Sequence, residues 1–236
     1  MPIRLIPILL AGALWAGAQQ EPRQDSFTIS RVKRDRPLTS DPAAAFWSKA
    51  TSVVTSHDRY GQPVAGARTE IRGLWSRRYL YLLFGSQFEK LKLKTNPSAR
   101  KETWGLWDYD VVEVFIGSDL GQIDRYKEFE ISPQNEWVDL DVDRGRKGKE
   151  VDWEWDAGME WSARVDQSAK AWYCAMRIPW KAIAPASPAV RAGREFRLNL
   201  YRIEGEEPNR KYIAWRPVHS PSFHTPSAFG RLKLAE

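Results

Sequence analysis

The chain has 236 residues, with 36 Lys and Arg against 30 Asp and Glu and a net charge of +6. That length suits one β-rich domain, and a lone cysteine, Cys174, excludes an intrachain disulfide framework. Basic and acidic residues interleave along the chain, which argues against the contiguous basic face of a nucleic-acid binder.

The first residues, "MPIRLIPILLAGALWAGAQQ", read as a secretory leader. Arg4 is a short basic region, Leu5 to Trp15 is too short to cross a bilayer, and Ala16-Gly17-Ala18 offers small residues for cleavage before Gln19. Residues 1–18 are therefore expected to be removed, leaving one secreted or periplasmic domain over 19–236 with no membrane span. Gln19 stands where a lipoprotein needs its cysteine.

After the leader, "FTISRV" is a strand candidate. Asp41-Pro42 before "AAAFWSKA" predicts two helical turns, with Asp41 as cap and Pro42 in the first helical position. "ARTEIRGLW" and "RRYLYLLFGSQF" form a predicted hairpin around Ser76-Arg77-Arg78. "KLKLK" (Lys90 to Lys94) alternates like an exposed edge strand protected by lysines. "DVVEVFIG" is a strongly apolar strand carrying one charge, Glu113. "DRYKEFEISP" places Tyr126, Glu128 and Glu130 on one face, and "EWVDLDVD" groups Asp139, Asp141 and Asp143. Both acidic sets are read as solvated sheet faces, with "RGRKGK" (Arg144 to Lys149) as a basic hairpin tip. "GMEWSARVD", "AWYCAMRIPW", "EFRLNLYRIE" and "YIAWRPV" supply four more strands, and "PWKAI" a single helical turn ended by Pro185. Cys174 and Met176 read as core. This spacing predicts an all-β fold: a two-sheet antiparallel β-sandwich with one or two short helical turns.

Chemistry is sparse. His57, His219 and His224 are not at zinc-ligand spacing, and no Gly-rich phosphate loop or nucleophile elbow is present. Glu113 with Glu128 or Glu130 could form the carboxylate pair of a glycan hydrolase. The three aspartates could ligate calcium, although no metal-ligand set is defined. Glu113 must find a donor, either an arginine across the sheet or a ligand hydroxyl, because a buried unpaired charge is costly. Trp107, in the loop before that strand, would place a stacking ring beside it.

Taken in order, these segments resemble the family 9 carbohydrate-binding modules. The matching pieces are Trp47, "TEIRGLWSRRYLYLLF", the Trp-x-x-Asp-x-x-Glu-x-Phe run in "WDYDVVEVFIG", "YKEFEISP", "IPWKAI" and "AWRPVHSPSFHTPSAFGRLKL". The resemblance implies a distorted β-sandwich that binds an oligosaccharide or polysaccharide without catalysis. It assigns sugar stacking to Trp107 and Phe223, and hydroxyl hydrogen bonds to Glu113 and Asn199. Trp104 is left as packing. Two departures stand out: Phe223 replaces the family's second tryptophan, and Glu130 occupies a position where an arginine is expected. Arg202 and Arg210 are the candidates to replace that cation. A monomer is expected, with no nucleic-acid partner and no required cofactor; the resemblance allows a structural Ca2+ without naming its ligands. The alternative readings are a haem-binding electron-transfer domain of the same broad fold and the carboxylate hydrolase.

Overall fold

Residues 24–185 and 190–236 are described by a computed structural model; the expected leader lies outside them. Alternating apolar segments become strands because every second side chain can then leave water on the same face. In chain order the first are β1 (Ser26–Arg31), β2 (Thr51–Thr55), β3 (Thr69–Trp75) and β4 (Tyr79–Gln87). Next come β5 (Val111–Gly117), β6 (Arg125–Ile131), β7 (Trp137–Asp143) and the two-residue β8 (Val151–Asp152). The chain then forms β9 (Glu160–Asp166), β10 (Ala171–Pro179), β11 (Glu195–Glu204), β12 (Lys211–Ala214) and β13 (Gly230–Leu234). Helix is confined to short pieces: a 3-10 turn at Ala45–Lys49, others at Leu106–Asp108 and Pro226–Ala228, and one α-helical turn, α1, at Trp180–Ile183.

The expected pair of separate sheets is replaced by one continuous, curled sheet. Its order is β8-β7-β6-β5-β11-β13-β1-β3-β4-β10-β9, with β12 beside β11 and β2 beside β3. The joint is β1. Ser26 to Ile29 pair in parallel with β13, and Ser30 and Arg31 continue in parallel onto β3. All other strand pairings are antiparallel. Gly73 permits this crossing, because a Cβ there would collide with Ile29 and Phe27 of β1.

The two halves of the sheet share one core. Val112, Val114, Phe129 and Leu198 from the β5 half join Ile71, Leu82, Phe84 and Met176 from the β4 half in one buried cluster. Cys174 and Met176 are both fully buried within it. The hairpin around Ser76-Arg77-Arg78 and the helical turn at Trp180 form where expected. The Asp41 segment is tighter than expected: Asp41 accepts from the Ala43 N–H at 3.0 Å, and a single 3-10 piece buries Trp47. Lys90 to Lys94 form no strand. Instead the Lys92 carbonyl accepts from the Asp110 N–H at 3.0 Å, and Lys94 lies 3.4 Å from buried Glu136.

Arg202, expected beside the pocket, points the other way. Its register on β11 places it with Leu198 and Leu200, on the inner face. It is 1% exposed, pairs with Glu204 at 2.7 Å, donates to Thr69 Oγ1 at 3.2 Å, and donates to the Gln87 carbonyl. These bonds tie β11 to β3 and β4 across the two halves. Removing one partner of a buried pair strands the other charge. Arg202→Ala should therefore lose about 3 kcal/mol of stability in urea titration, whereas Arg202→Met combined with Glu204→Gln should lose less.

Candidate functional site

The outer face of β5, β6, β7 and β11 carries a second buried layer. On β5 the inner residues are Val112, Val114 and Ile116, while Val111, Glu113 and Phe115 face outward. On β6 the outward set is Tyr126, Glu128 and Glu130. Cross-strand register sets Glu113 opposite Glu130, and Phe115 opposite Glu128. Leu140 of β7 and Tyr201 and Ile203 of β11 complete the apolar part of this face. Two loops cover it, leaving a pocket of about 390 Å3.

The floor is acidic. Glu113, Glu128 and Glu130 are buried at 2%, 2% and 0% exposure, so the expectation of a solvated face for the latter two fails. One carboxylate oxygen from each lies within 4.8 Å of the others. Both oxygens of Glu130, and Oε2 of Glu128, find no N–H or hydroxyl donor among the described residues, and the two carboxyl groups adjoin one another. Among the described residues no lysine or arginine forms an ion pair with any of the three; His224 Nε2 lies 3.9 Å from Glu128 Oε2. Tyr126 orients that ring through a 2.7 Å hydrogen bond to Nδ1. Burial raises the pKa of Glu113 well above the usual carboxylate range, Glu128 adds to the shift, and Arg210 opposes it. Glu130 is likewise raised well above by burial and then by Glu113 and Glu128. Glu128 is raised by burial, against the pull of His224.

The walls are aromatic, and each hangs on an arginine. Gly105 adopts a left-handed φ of 78° and starts the 3-10 turn that carries Trp107. The Arg210 guanidinium donates to the carbonyls of Trp107, Asp108, Tyr109 and Gly205, which fixes that loop. Arg210 thus acts through the backbone beneath Trp107, while its charge also reaches Glu113. Trp104 packs edge-on against Trp107 at 4.9 Å and is 55% exposed, so it lines the pocket instead of filling a core. Trp153, 46% exposed, continues the aromatic surface 5.8 Å from Trp104.

Phe223 forms another wall, in a loop held by Arg59. The Arg59 carbonyl accepts the N–H groups of Val218 and His219, each at 2.9 Å. Its guanidinium donates to the Pro221 carbonyl at 2.7 Å and lies 4.2 Å over the Tyr212 ring. One face of Phe223 is stacked on Tyr201, with centroids 4.0 Å apart and planes 11° from parallel. Asn199 stands behind this stack and does not line the pocket. Its Nδ2 donates to Tyr201 Oη at 2.8 Å and to the Arg216 carbonyl at 2.9 Å, while Oδ1 accepts from the N–H groups of Leu200 and Arg216. Tyr201 Oη in turn donates to the Phe223 carbonyl at 3.1 Å. Asn199 is therefore a positioning residue, with both amide hydrogens and both lone pairs engaged.

Three residues picked from the sequence, Trp107, Glu113 and Phe223, do meet at this pocket, and Arg210 holds one of its walls. Arg202 and Asn199 face elsewhere. Trp104, His224 and Arg59 were not selected from the sequence. For the rest of the floor beside Glu113, the signal in the sequence is the shared strand face of Tyr126, Glu128 and Glu130. The aspartates expected to be solvated are largely enclosed: Asp139 is 1% exposed and accepts from the Ala157 N–H at 3.3 Å. Its pKa is pushed up to about 7, first by burial and then by Glu102. Asp141 pairs with Lys127 at 2.5 Å and with Arg146, of the basic hairpin tip, at 3.2 Å.

An aromatic-walled, acid-floored pocket on the outer face of an all-β sheet defines a ligand-binding module. The chain belongs to the carbohydrate family 9 binding domain-like family, whose profile matches residues 41–236. It is 22% identical over 214 residues to endo-1,4-beta-xylanase A of Thermotoga maritima. That match takes in 89% of this chain but only 18% of the xylanase's length. An extracellular protein of Arthroderma benhamiae is 26% identical over 177 residues, 70% of this chain and 78% of that protein. The fold is similar to that of a Bacteroides uniformis protein, with a TM-score of 0.71, 16% identity, and 89% and 98% of the two chains covered. It is also similar to a family 9 carbohydrate-binding module of Caldicellulosiruptor kristjanssonii solved with cellotriose, with a TM-score of 0.63, 13% identity, and 89% and 93% covered.

The charged floor has a consequence for stability. The folded chain holds protons on these glutamates at pH values where the unfolded chain has released them, so stability falls as pH rises above the ordinary carboxylate range. Glu130→Gln should raise the melting temperature at about pH 8 by several degrees and have a smaller effect at about pH 5. Equal shifts at both pH values would show that Glu130 is not an unpaired buried acid.

Proposed function

We propose that this protein is an exported, non-catalytic carbohydrate-binding protein whose sugar site is the pocket under Trp107. The observation that carries this reading is a coincidence of motif and cavity. The Trp107-to-Glu113 segment, by which the chain resembles sugar-binding modules, borders a half-open pocket with aromatic walls and acidic acceptors. Aromatic rings cover the C–H faces of a pyranose and carboxylates accept from its hydroxyls, so one site meets both halves of a sugar's chemistry. The family and the cellotriose-bound neighbour support the same ligand class. The reading requires no cofactor and one copy of the chain.

The arrangement favours holding over hydrolysis. A glycosidase places its two carboxyl groups on either side of the scissile bond, about 5 Å or more apart. Here the three acids share one floor on the adjacent strands β5 and β6, and no carboxylate stands among the residues of the facing walls. Isothermal titration with neutral and charged oligosaccharides of gluco and xylo configuration tests the reading. Trp107→Ala should weaken binding about tenfold or more without unfolding the protein. Absence of heat with every sugar would remove the carbohydrate assignment. The Trp104–Trp153 surface adds a length test: Trp153→Ala should weaken a tetrasaccharide while leaving a monosaccharide unchanged, and equal losses for both would confine the site to the pocket.

A further inference from the structure

The acids of the pocket floor specify more than a sugar. We propose that the ligand is cationic at the ring seated on the floor: an amino sugar whose ammonium group is held by Glu113, Glu128 and Glu130. The proposal rests on the carbohydrate reading above and names the substrate class of the same site.

Three observations carry it. First, Glu130 is fully buried, faces the pocket, and finds no N–H or hydroxyl donor among the described residues; its polar neighbour is the carboxyl of Glu128. The hydroxyls of a neutral ring can each donate one hydrogen bond, but they bring no charge to three carboxylates that converge on one spot. An ammonium carries three donors and a full charge, matching three carboxylates that converge within 4.8 Å. Second, the hydrogen bonds of the nearby guanidinium groups are engaged elsewhere, which leaves His224, 3.9 Å from Glu128, as the basic side chain against the floor among the described residues. Arg210 is bonded to four loop carbonyls, and Arg59 to Pro221 and the face of Tyr212. Third, the remaining walls fit an organic cation better than a bare metal ion. Calcium takes six to eight oxygens and commonly uses backbone carbonyls. These glutamates lie inside β5 and β6, where the backbone is committed to the strand ladder. The space beside them, about 390 Å3 with Trp107, Phe115 and Phe223 around it, takes a whole ring. Aromatic faces also favour a cation directly.

The test compares three β-1,4-linked disaccharides by isothermal titration at neutral pH: glucosamine dimer, its N-acetylated form, and cellobiose. Each is run with EDTA and with added calcium. The glucosamine dimer should bind about tenfold or more tighter than the other two, with or without EDTA. Glu130→Gln should bring the three affinities together, and Glu128→Gln provides a second variant if the first does not fold. Cellobiose binding as tightly as the glucosamine dimer overturns the charge preference and leaves the carbohydrate reading in place. Neutral-sugar binding that EDTA abolishes and calcium restores also overturns it, since the missing cation is then a metal. No binding of any of the three sinks this inference; failure of the wider oligosaccharide panel is what sinks the carbohydrate reading.

Discussion

The two-residue period of β5 and β6, paired in one register, governs the rest of the molecule. Because Glu113 faces Glu130 and Phe115 faces Glu128, the outer face carries acids and rings, while Val112, Val114, Ile116, Phe129 and Ile131 line the inner face, with Lys127 beyond Phe129 at its edge. A slip of one residue would exchange the faces and drive three carboxylates into the main core. The inner residues Val112, Val114, Ile116, Phe129 and Ile131 make that slip prohibitive, since together they would lose their burial against the opposite half of the sheet. The core thus holds the pocket floor in place, although none of these five residues lines the pocket.

A sheet face buried by loops needs those loops held, and the chain uses two arginines for this. Arg210 collects four carbonyls beneath Trp107, and Arg59 receives two N–H groups and bonds Pro221 near Phe223. The Asn199–Tyr201–Phe223 relay reaches the same end from the strand side. These contacts explain why a pocket can stand on 3-10 turns and irregular chain, elements with little stability of their own. They also fix the angle between aromatic walls that are far apart in sequence.

Much of this was legible before any coordinates. Alternation located β5, β6, β7, β9, β10 and β11, because those strands pack a face that tolerates little polar content. The Trp-x-x-Asp-x-x-Glu run located one wall and part of the floor. What the sequence hid depends on long-range pairing. The acids of β6 looked solvated because one strand does not reveal what covers its polar face; the cover comes from the Trp107 loop and from a loop far along the chain, which brings His224 against Tyr126, 98 residues away. Arg202 looked available for a ligand until its register set it beside Leu198 and Leu200. Trp104 and Trp107 are nearly identical in sequence context, yet one is 55% exposed and the other half-buried, a difference made by the Gly105 turn between them. The single continuous sheet was hidden for the same reason, since only β1 joins the halves and it does so by changing partners partway along.

The buried charges divide into two kinds, and the division separates structure from function. Glu204 has Arg202 at 2.7 Å and Lys211 at 3.7 Å; Glu136 has Lys94 at 3.4 Å and Thr103 Oγ1 at 3.2 Å; Asp143 has Arg125 at 3.0 Å. Each has a lysine or arginine of the chain within ion-pair distance, as burial of a charge requires, although Glu136 and Glu204 each keep one oxygen without a hydrogen bond. Asp110 lacks a close cation, but it accepts the Gly205 N–H at 2.7 Å, and burial raises its pKa to about 6. The three pocket glutamates lack equivalent partners, although the chain has a net charge of +6 and no shortage of cations. A folding requirement alone would have paired them or replaced them with leucines like Leu140 on the next strand. Their retention in an unpaired cluster costs stability at neutral pH, and proteins carry such a cost where a bound group relieves it.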